Sequence, residues 1–361
     1  MSFGTTSTTN TALTPPDYTV PHPGNDGISS LTWSPTSNIL VSTNWDGGVR
    51  CWEVQEQKGQ VQALPKAQVN HENNSPVLCS TFSSDGSTVF TGGADNAVRM
   101  WNLSQGPLTT PNSVPQQIGA HSAAVSAIGF LKSTNIIVSG SYDKKLLFWD
   151  ARTPNPVHSI ELPERCYDLD VRENLMVVAT AERHVLVYDV SGQPKEHIRK
   201  VSPLKYQTRC LRCFPDMTGF AIGSIEGRVG IQYYNRAHES KNFSFKCHRK
   251  DQTNSNSKGQ DVYSVNAIAF HPVGKFATVG SDGVFTFWDK DNKQKLKGFP
   301  AVGNTIPCAN FNAQGNLFAY AKSYDWSQGS GQYAPGSANE IAIHVVQPDE
   351  MQPRTRNRNS R

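Results

Sequence analysis

His121, Ser139 and Asp143 have the residue types with which a hydrolase activates a serine: a base, a hydroxyl and a carboxylate that orients the base. Trp149 stands six residues beyond the aspartate. The same set occurs earlier as His71, Thr91, Asp95 and Trp101. Ser42, Asp46 and Trp52 repeat most of it, as do Thr278, Asp282 and Trp288. A nucleophilic site is built once, so a repeated constellation points to structure: polar groups held between strands must find hydrogen-bond partners, and this set can supply its own. Cys210 and Cys213, with Cys247 and His248 further on, raise the question of a metal. Structural zinc needs four converging ligands, whereas strand residues three apart point to opposite faces, so these read as core cysteines. The chain carries no phosphate-binding glycine motif and no paired catalytic carboxylates. The expectation is a binding platform rather than an enzyme, with no cofactor and no metal.

The elements that position these residues are short strands. A six-residue step from an acidic residue to an aromatic one runs Asp46 to Trp52, Asp95 to Trp101, Asp143 to Trp149 and Asp282 to Trp288. Weaker copies are Glu182 to Tyr188 and Glu226 to Gln232-Tyr233. Each is preceded by two apolar runs separated by turn residues, as in Val77 to Phe82, Ser84-Asp85-Gly86 and Thr88 to Phe90. A unit of roughly forty to fifty residues closed by Trp-Asp marks a WD-repeat β-propeller, in which such polar residues form a buried network within each blade. Pro307 to Phe311, Leu317 to Ala321 and Ser323-Tyr324-Asp325 start a seventh unit. A Gly/Ser/Tyr-rich insertion over 326–339 precedes its last strand, Glu340 to Val346. The segment around Tyr18 to Val20 is left to supply the missing strand, closing the ring and removing a sheet edge. The predicted fold is all-β: a seven-bladed propeller over 16–347, with a disordered Ser/Thr-rich leader over 1–15 and a disordered basic tail over 348–361.

Composition narrows the function classes. Net charge is only +4 over 361 residues, too little for bulk attraction to nucleic acid, though a local basic patch is compatible with it. No run of roughly 18 apolar residues and no signal-peptide plan occurs, so a soluble, intracellular protein without membrane insertion is expected. Seven cysteines with no disulfide framework fit a reducing compartment. Binding then falls to the propeller's surfaces. The residue before each blade's acidic position lies on one rim, and three of these are large aromatics: Trp45, Tyr142 and Tyr324. Aromatics on a rim are candidate interface anchors. After Trp288, the lysines Lys290, Lys293, Lys295 and Lys297 are expected on the outer strand of blade six, the last three sharing a face, with Phe243 or Phe245 nearby. That row suits single-stranded RNA, and equally the charged defence of an edge strand.

Three further stretches exceed the generic repeat: Ser202-Pro203-Leu204-Lys205-Tyr206-Gln207-Thr208-Arg209, Gly223-Ser224-Ile225-Glu226-Gly227-Arg228-Val229 and Phe245-Lys246-Cys247-His248-Arg249. Over roughly residues 17–346 the chain resembles a narrow WD-repeat subfamily with two branches, the messenger-RNA export factor of the nuclear pore and its mitotic-checkpoint sister. The run Thr43 to Trp52 and Ser323-Tyr324-Asp325-Trp326-Ser327 resemble the export branch. The resemblance implies binding of a short acidic GLEBS motif across one propeller face. The motif belongs to an FG-repeat nucleoporin in the export branch and to checkpoint kinases in the other. It also implies a monomeric propeller within hetero-complexes, at the nuclear pore and envelope with cytoplasmic shuttling. Lys205, Arg209, Arg228 and Arg249 are the contacts this implies, beside Trp45 and Tyr142; Arg228 could instead pair with Glu226. The export branch further implies RNA binding at Phe245, Trp288, Lys290, Lys293 and Lys295, although Asn292 and Gln294 dilute the charge here.

Overall fold

A computed structural model describes residues 16–103, 115–252, 259–334, 336 and 338–353. Its strands form seven four-stranded antiparallel sheets and one separate two-stranded hairpin. Blade 3 shows the plan: Val125–Leu131 lies innermost, followed outward by Ile136–Ser141, Lys145–Trp149 and His158–Glu161. First strands of successive blades contact one another around the axis. Middle strands are covered on both faces by neighbouring blades, so they read as continuous apolar runs; Leu175–Thr180 of blade 4 is buried at every position. Outer strands face solvent on one side and alternate, as His158–Glu161 does.

The core is divided among the blade interfaces rather than gathered at a centre. Seven apolar clusters lie between adjacent sheets, and Trp149 fills the one between blades 2 and 3. The turn between second and third strands needs a left-handed residue after its acidic position. Gly47, Asn96, Lys144, Gly227 and Gly283 supply it. Gly227 is also required sterically, because a Cβ there would lie 2.7 Å from the Cys247 carbonyl oxygen.

The ring closes as the sequence predicts. Tyr18–Thr19 pairs with Ile343 and Ala342 as the outer strand of blade 7, and Val20 N–H donates to Ile341 O at 2.8 Å. Trp52 Nε1–H donates to Pro21 O at 2.9 Å and ties this segment to blade 1. The tail boundary needs correction. Residues 348–353 were expected in a disordered tail, yet Pro348–Met351 forms a 3-10 turn with Glu350 and Met351 buried. Its anchor is His344, whose Nε2 lies 2.8 Å from Glu350 and whose Nδ1 lies 2.7 Å from Asp17. Burial works against the charge on this imidazole, but its hydrogen bonds to both carboxylates outweigh it and raise its pKa to about 9. The leader over 1–15 and residues 354–361 lie outside the described residues.

Candidate functional site

The triad-like residues meet, in a setting that fixes their role. In blade 3, Asp143 Oδ2 lies 2.9 Å from His121 Nδ1, and His121 Nε2 lies 2.7 Å from Ser139 Oγ. Burial holds His121 below the usual imidazole range, and hydrogen bonds from Ser122 and His121 keep Asp143 ionised against its own burial. The carboxylate must therefore accept from Nδ1–H. Nε2 then accepts from the Ser139 hydroxyl, which in turn accepts from Trp149 Nε1–H at 2.7 Å. Ser139 is fully buried, so its hydroxyl ties blade strands together and is closed to any substrate. Blade 6 repeats the whole network with His248, Asp282, Thr278 and Trp288. The sequence had not placed His248 in it, because an inserted hairpin stretches the His-to-Asp spacing to 34 residues against 22 in blade 3.

Blades 1 and 2 depart from the repeat. In blade 2, His71 meets Thr91 at 2.8 Å, while Asp95 serves His71 at 3.3 Å and Arg99 at 2.7 Å. Those bonds overcome burial and bring Asp95 to about 2; Trp101 Nε1 has no partner among the described residues. In blade 1 the expected set is not assembled. Arg50 grips Asp46 with two nitrogens, at 2.8 and 3.1 Å, and Ser42 donates to Asn44. All seven cysteines are free and buried, and burial pushes the Cys210 thiol up to about 12. The described residues hold no group of three or more metal-ligating side chains.

The basic residues of blade 5 gather on the rim but do different work. Arg249 Nη2 donates to Glu226 O at 2.6 Å, so its guanidinium braces the turn between blade 5's second and third strands. Arg228 Nε lies 3.6 Å from Glu226 Oε2, a loose pairing of the kind the sequence allowed. Lys205 contributes its backbone N–H to Glu226 Oε1 at 3.2 Å and leaves its ammonium exposed. Arg209 is exposed and makes no ion pair among the described residues. It stands close enough for its charge to act on the Tyr142 phenol. Tyr142 packs edge-to-face with Tyr167 at 6.4 Å, and Tyr206 and Ile225 stand exposed nearby. This half of the rim presents unspent positive charge among apolar anchors, which is what a carboxylate-bearing peptide requires.

The other half, over blades 7 and 1, is aromatic. Trp45 is 45% exposed, and a Cβ on Gly27 would fall between its ring and the Tyr324 carbonyl. Tyr324, Trp326 and Tyr333 form one cluster, with Trp326 and Tyr333 stacked at 5.1 Å and 12°. Trp326 and Tyr333 do not stand out among the rim aromatics in the sequence because they lie in an insertion with no repeat register. The signal available was two large aromatics in a Gly/Ser-rich loop.

The outer edge of blades 5 and 6 corrects the lysine row. Gln294–Gly298 is the outer strand, but Lys293 sits in the preceding turn with φ of +52°, so it does not share the strand face. Its ammonium lies 5.0 Å from the Phe243 ring centre. Lys295 is exposed and pairs across from Trp288. Lys290 is no surface contact: it is 4% exposed, bonded to Asp291 at 2.8 Å and set 4.9 Å above Phe214. Trp288 has a double role, its Nε1–H bonded to Thr278 and its ring 4.6 Å from Phe245. Phe243, Phe245, Trp288, Lys293 and Lys295 therefore make one aromatic and basic surface, without Lys290.

The WD domain, G-beta repeat family matches residues 16–53, 65–102, 112–150 and 252–289. These matches cover blades 1, 2, 3 and 6, whose units close with Trp; blades 4, 5 and 7 close without it. Protein RAE1 of Arabidopsis thaliana is 44% identical over 357 residues, 98% of this chain and 97% of the relative. The Poly(A)+ RNA export protein of Schizosaccharomyces pombe is 43% identical over 342 residues, 94% of this chain and 93% of its own length. An mRNA export factor of Xenopus tropicalis is 46% identical over 365 aligned residues, 98% of this chain and 95% of the relative. Identity of this extent, on a seven-bladed propeller with WD-repeat networks, places the chain in the family of WD-repeat mRNA export factors.

Proposed function

We propose that this propeller is a non-catalytic adaptor that holds a GLEBS-type acidic segment of an FG nucleoporin on its rim and supports mRNA export at the nuclear pore. The observation that carries the reading is Arg209, an exposed guanidinium with no ion pair among the described residues, set beside Tyr142 on the same rim as Lys205 and Arg228. A guanidinium left unpaired among exposed aromatics gains most from a partner's carboxylate, and a bidentate pair gives register as well as affinity. The names of the relatives support the export role. Titration calorimetry of the propeller against a nucleoporin GLEBS peptide, with a checkpoint-kinase GLEBS peptide alongside, is the test. Preference for the nucleoporin peptide is expected. The reverse preference would make the chain a checkpoint adaptor, and no binding to either would end the adaptor reading.

A second surface favours single-stranded RNA. The Phe243, Phe245 and Trp288 rings adjoin Lys293 and Lys295, pairing stacking platforms with phosphate partners. With so few lysines, affinity is expected to be modest and strongly salt-dependent.

A further inference from the structure

One element of the molecule belongs to no blade. Arg249–Asp251 and Gln260–Val262 pair only with each other, as a two-stranded sheet inserted between the outer strand of blade 5 and the first strand of blade 6. A hairpin of this size is marginal without a third strand or a packed face. Its register is Arg249 to Val262, Lys250 to Asp261 and Asp251 to Gln260. Tyr263 N–H donates to His248 O at 3.0 Å, and Gln252 N–H donates to Gly259 O at 3.1 Å. In an antiparallel ladder bonded and non-bonded pairs alternate, so the bonded pair between those two is Lys250 with Asp261. The N–H and C=O groups of Arg249 and Asp251 consequently point away from the hairpin. Among the described residues neither of these amides has an acceptor. The result is an open strand edge with its hydrogen-bonding groups at the spacing of a β-ladder.

Charge selects the occupant and the edge. Lys250 is exposed and carries no ion pair among the described residues, and Arg249 already braces the blade 5 turn beside Arg228. The opposite edge, Gln260–Val262, offers no cation. Opposite charges across neighbouring strands stabilise a sheet, and like charges destabilise it. We propose that an extended acidic segment adds a third strand along Arg249–Asp251, its carboxylates meeting Lys250 and the blade 5 arginines. The inference rests on the adaptor reading and deepens it. Side-chain contacts on the rim would set which segment binds, while the hairpin edge would fix its direction and register through the backbone.

The experiment uses the full chain and a synthetic nucleoporin GLEBS peptide, with amide hydrogen exchange as the first readout. Saturating peptide should slow exchange at the Arg249 and Asp251 amides and leave those of Gln260 and Val262 unchanged. Asp251→Pro removes one outward donor and should weaken binding about five- to tenfold, the worth of one net hydrogen bond. Asp251→Ala keeps the donor and removes a like charge, so it should bind at least as tightly as the parent, and Val262→Pro controls for the effect of proline on the hairpin. Binding by the parent chain with unchanged exchange at Arg249 and Asp251, and equal affinity for the Asp251 variants, would overturn the strand addition alone. A parent chain that fails to bind the peptide would overturn both readings.

Discussion

Blades 3 and 5 have the same four strands and the same place in the ring, yet they use their polar residues in opposite ways. Blade 3 closes a chain of hydrogen bonds from Asp143 through His121 and Ser139 to Trp149. Blade 5 has Ile222, Glu226 and Gln232 at the positions of Ser139, Asp143 and Trp149, and with an apolar residue in place of the hydroxyl no such chain forms. Its Gln232 amide bonds its neighbour's carbonyl and accepts from Lys200, while Glu226 takes Lys205 N–H and approaches Arg228. Thr208 Oγ1 in its first strand is buried without a partner among the described residues. Blade 3 spends its polar groups inward, on cohesion. Blade 5 turns them to the rim, where Arg209 has no ion pair among the described residues. The difference teaches that the ring does not need the complete network in every blade: the apolar clusters on both sides of blade 5 hold it, and its polar groups are free to turn outward.

If this division holds, substitutions in the two blades should separate stability from binding. Trp149→Ala is expected to cost about 3–5 kcal/mol, the usual loss for a large buried aromatic. Denaturant titration would register it, while GLEBS-peptide affinity measured well below the transition should be unchanged. Loss of affinity at full folding would break the comparison. The converse change is Arg209→Glu with Arg228→Glu. Calorimetry should show peptide binding weakened by about a hundredfold or more, as when charge pairs at an interface are opposed. Stability should stay within about 0.5 kcal/mol, the range for surface substitutions.

Titration sharpens the contrast, because the two buried histidines of blades 3 and 7 are in opposite charge states. His121 is held neutral, so its network should be indifferent to pH from neutrality upward. His344 has its pKa raised to about 9 in the fold from an unfolded value of about 6.5. Its stabilising contribution is complete below about pH 6.5 and is lost as pH rises through about 9. Denaturant midpoints between neutral and alkaline pH should therefore fall for the parent and fall less for His344→Gln. The smallest expected effect lies on the blade 5–6 edge. Lys293→Ala should make the salt dependence of single-stranded RNA binding shallower by about 0.7 in log–log slope, the loss of one phosphate contact. Lys290→Ala should leave that slope alone and lower stability, since its ammonium is buried against Phe214 and Asp291.

Much of the architecture was legible in the sequence because the Asp-to-Trp step spans the turn after a blade's second strand and the length of its third, whether or not the buried network forms. Wherever that step is complete the blade is found, and the closing strand follows from the one missing in blade 7. Legibility fails where a side chain's partner lies far along the chain. Arg50 takes Asp46 away from the expected set, and Trp52 bonds Pro21, 31 residues earlier. The lysine row misled for a local reason: strand alternation was extended back through Lys293, which lies in a turn. Lys290 misled because a lysine among charged residues looks exposed, whereas Phe214 and Tyr233 bury its stem and ammonium. The tail could not be read because His344 anchors Asp17 and Glu350 together, a contact between the two ends of the described chain.

That contact orders events in time. Asp17 leaves the ribosome 327 residues before His344, so the outer strand of blade 7 must wait for its partner while the rest of the propeller is made. At typical synthesis rates of roughly 5–20 residues per second the wait is on the order of tens of seconds. Six blades can form in that interval, but the ring stays open along one sheet edge until Glu340–Val345 arrives and Tyr18–Thr19 docks on it. The newborn chain is thus most exposed to mispairing at the moment before completion. The segment that seals the ring is made before the blades and used after them.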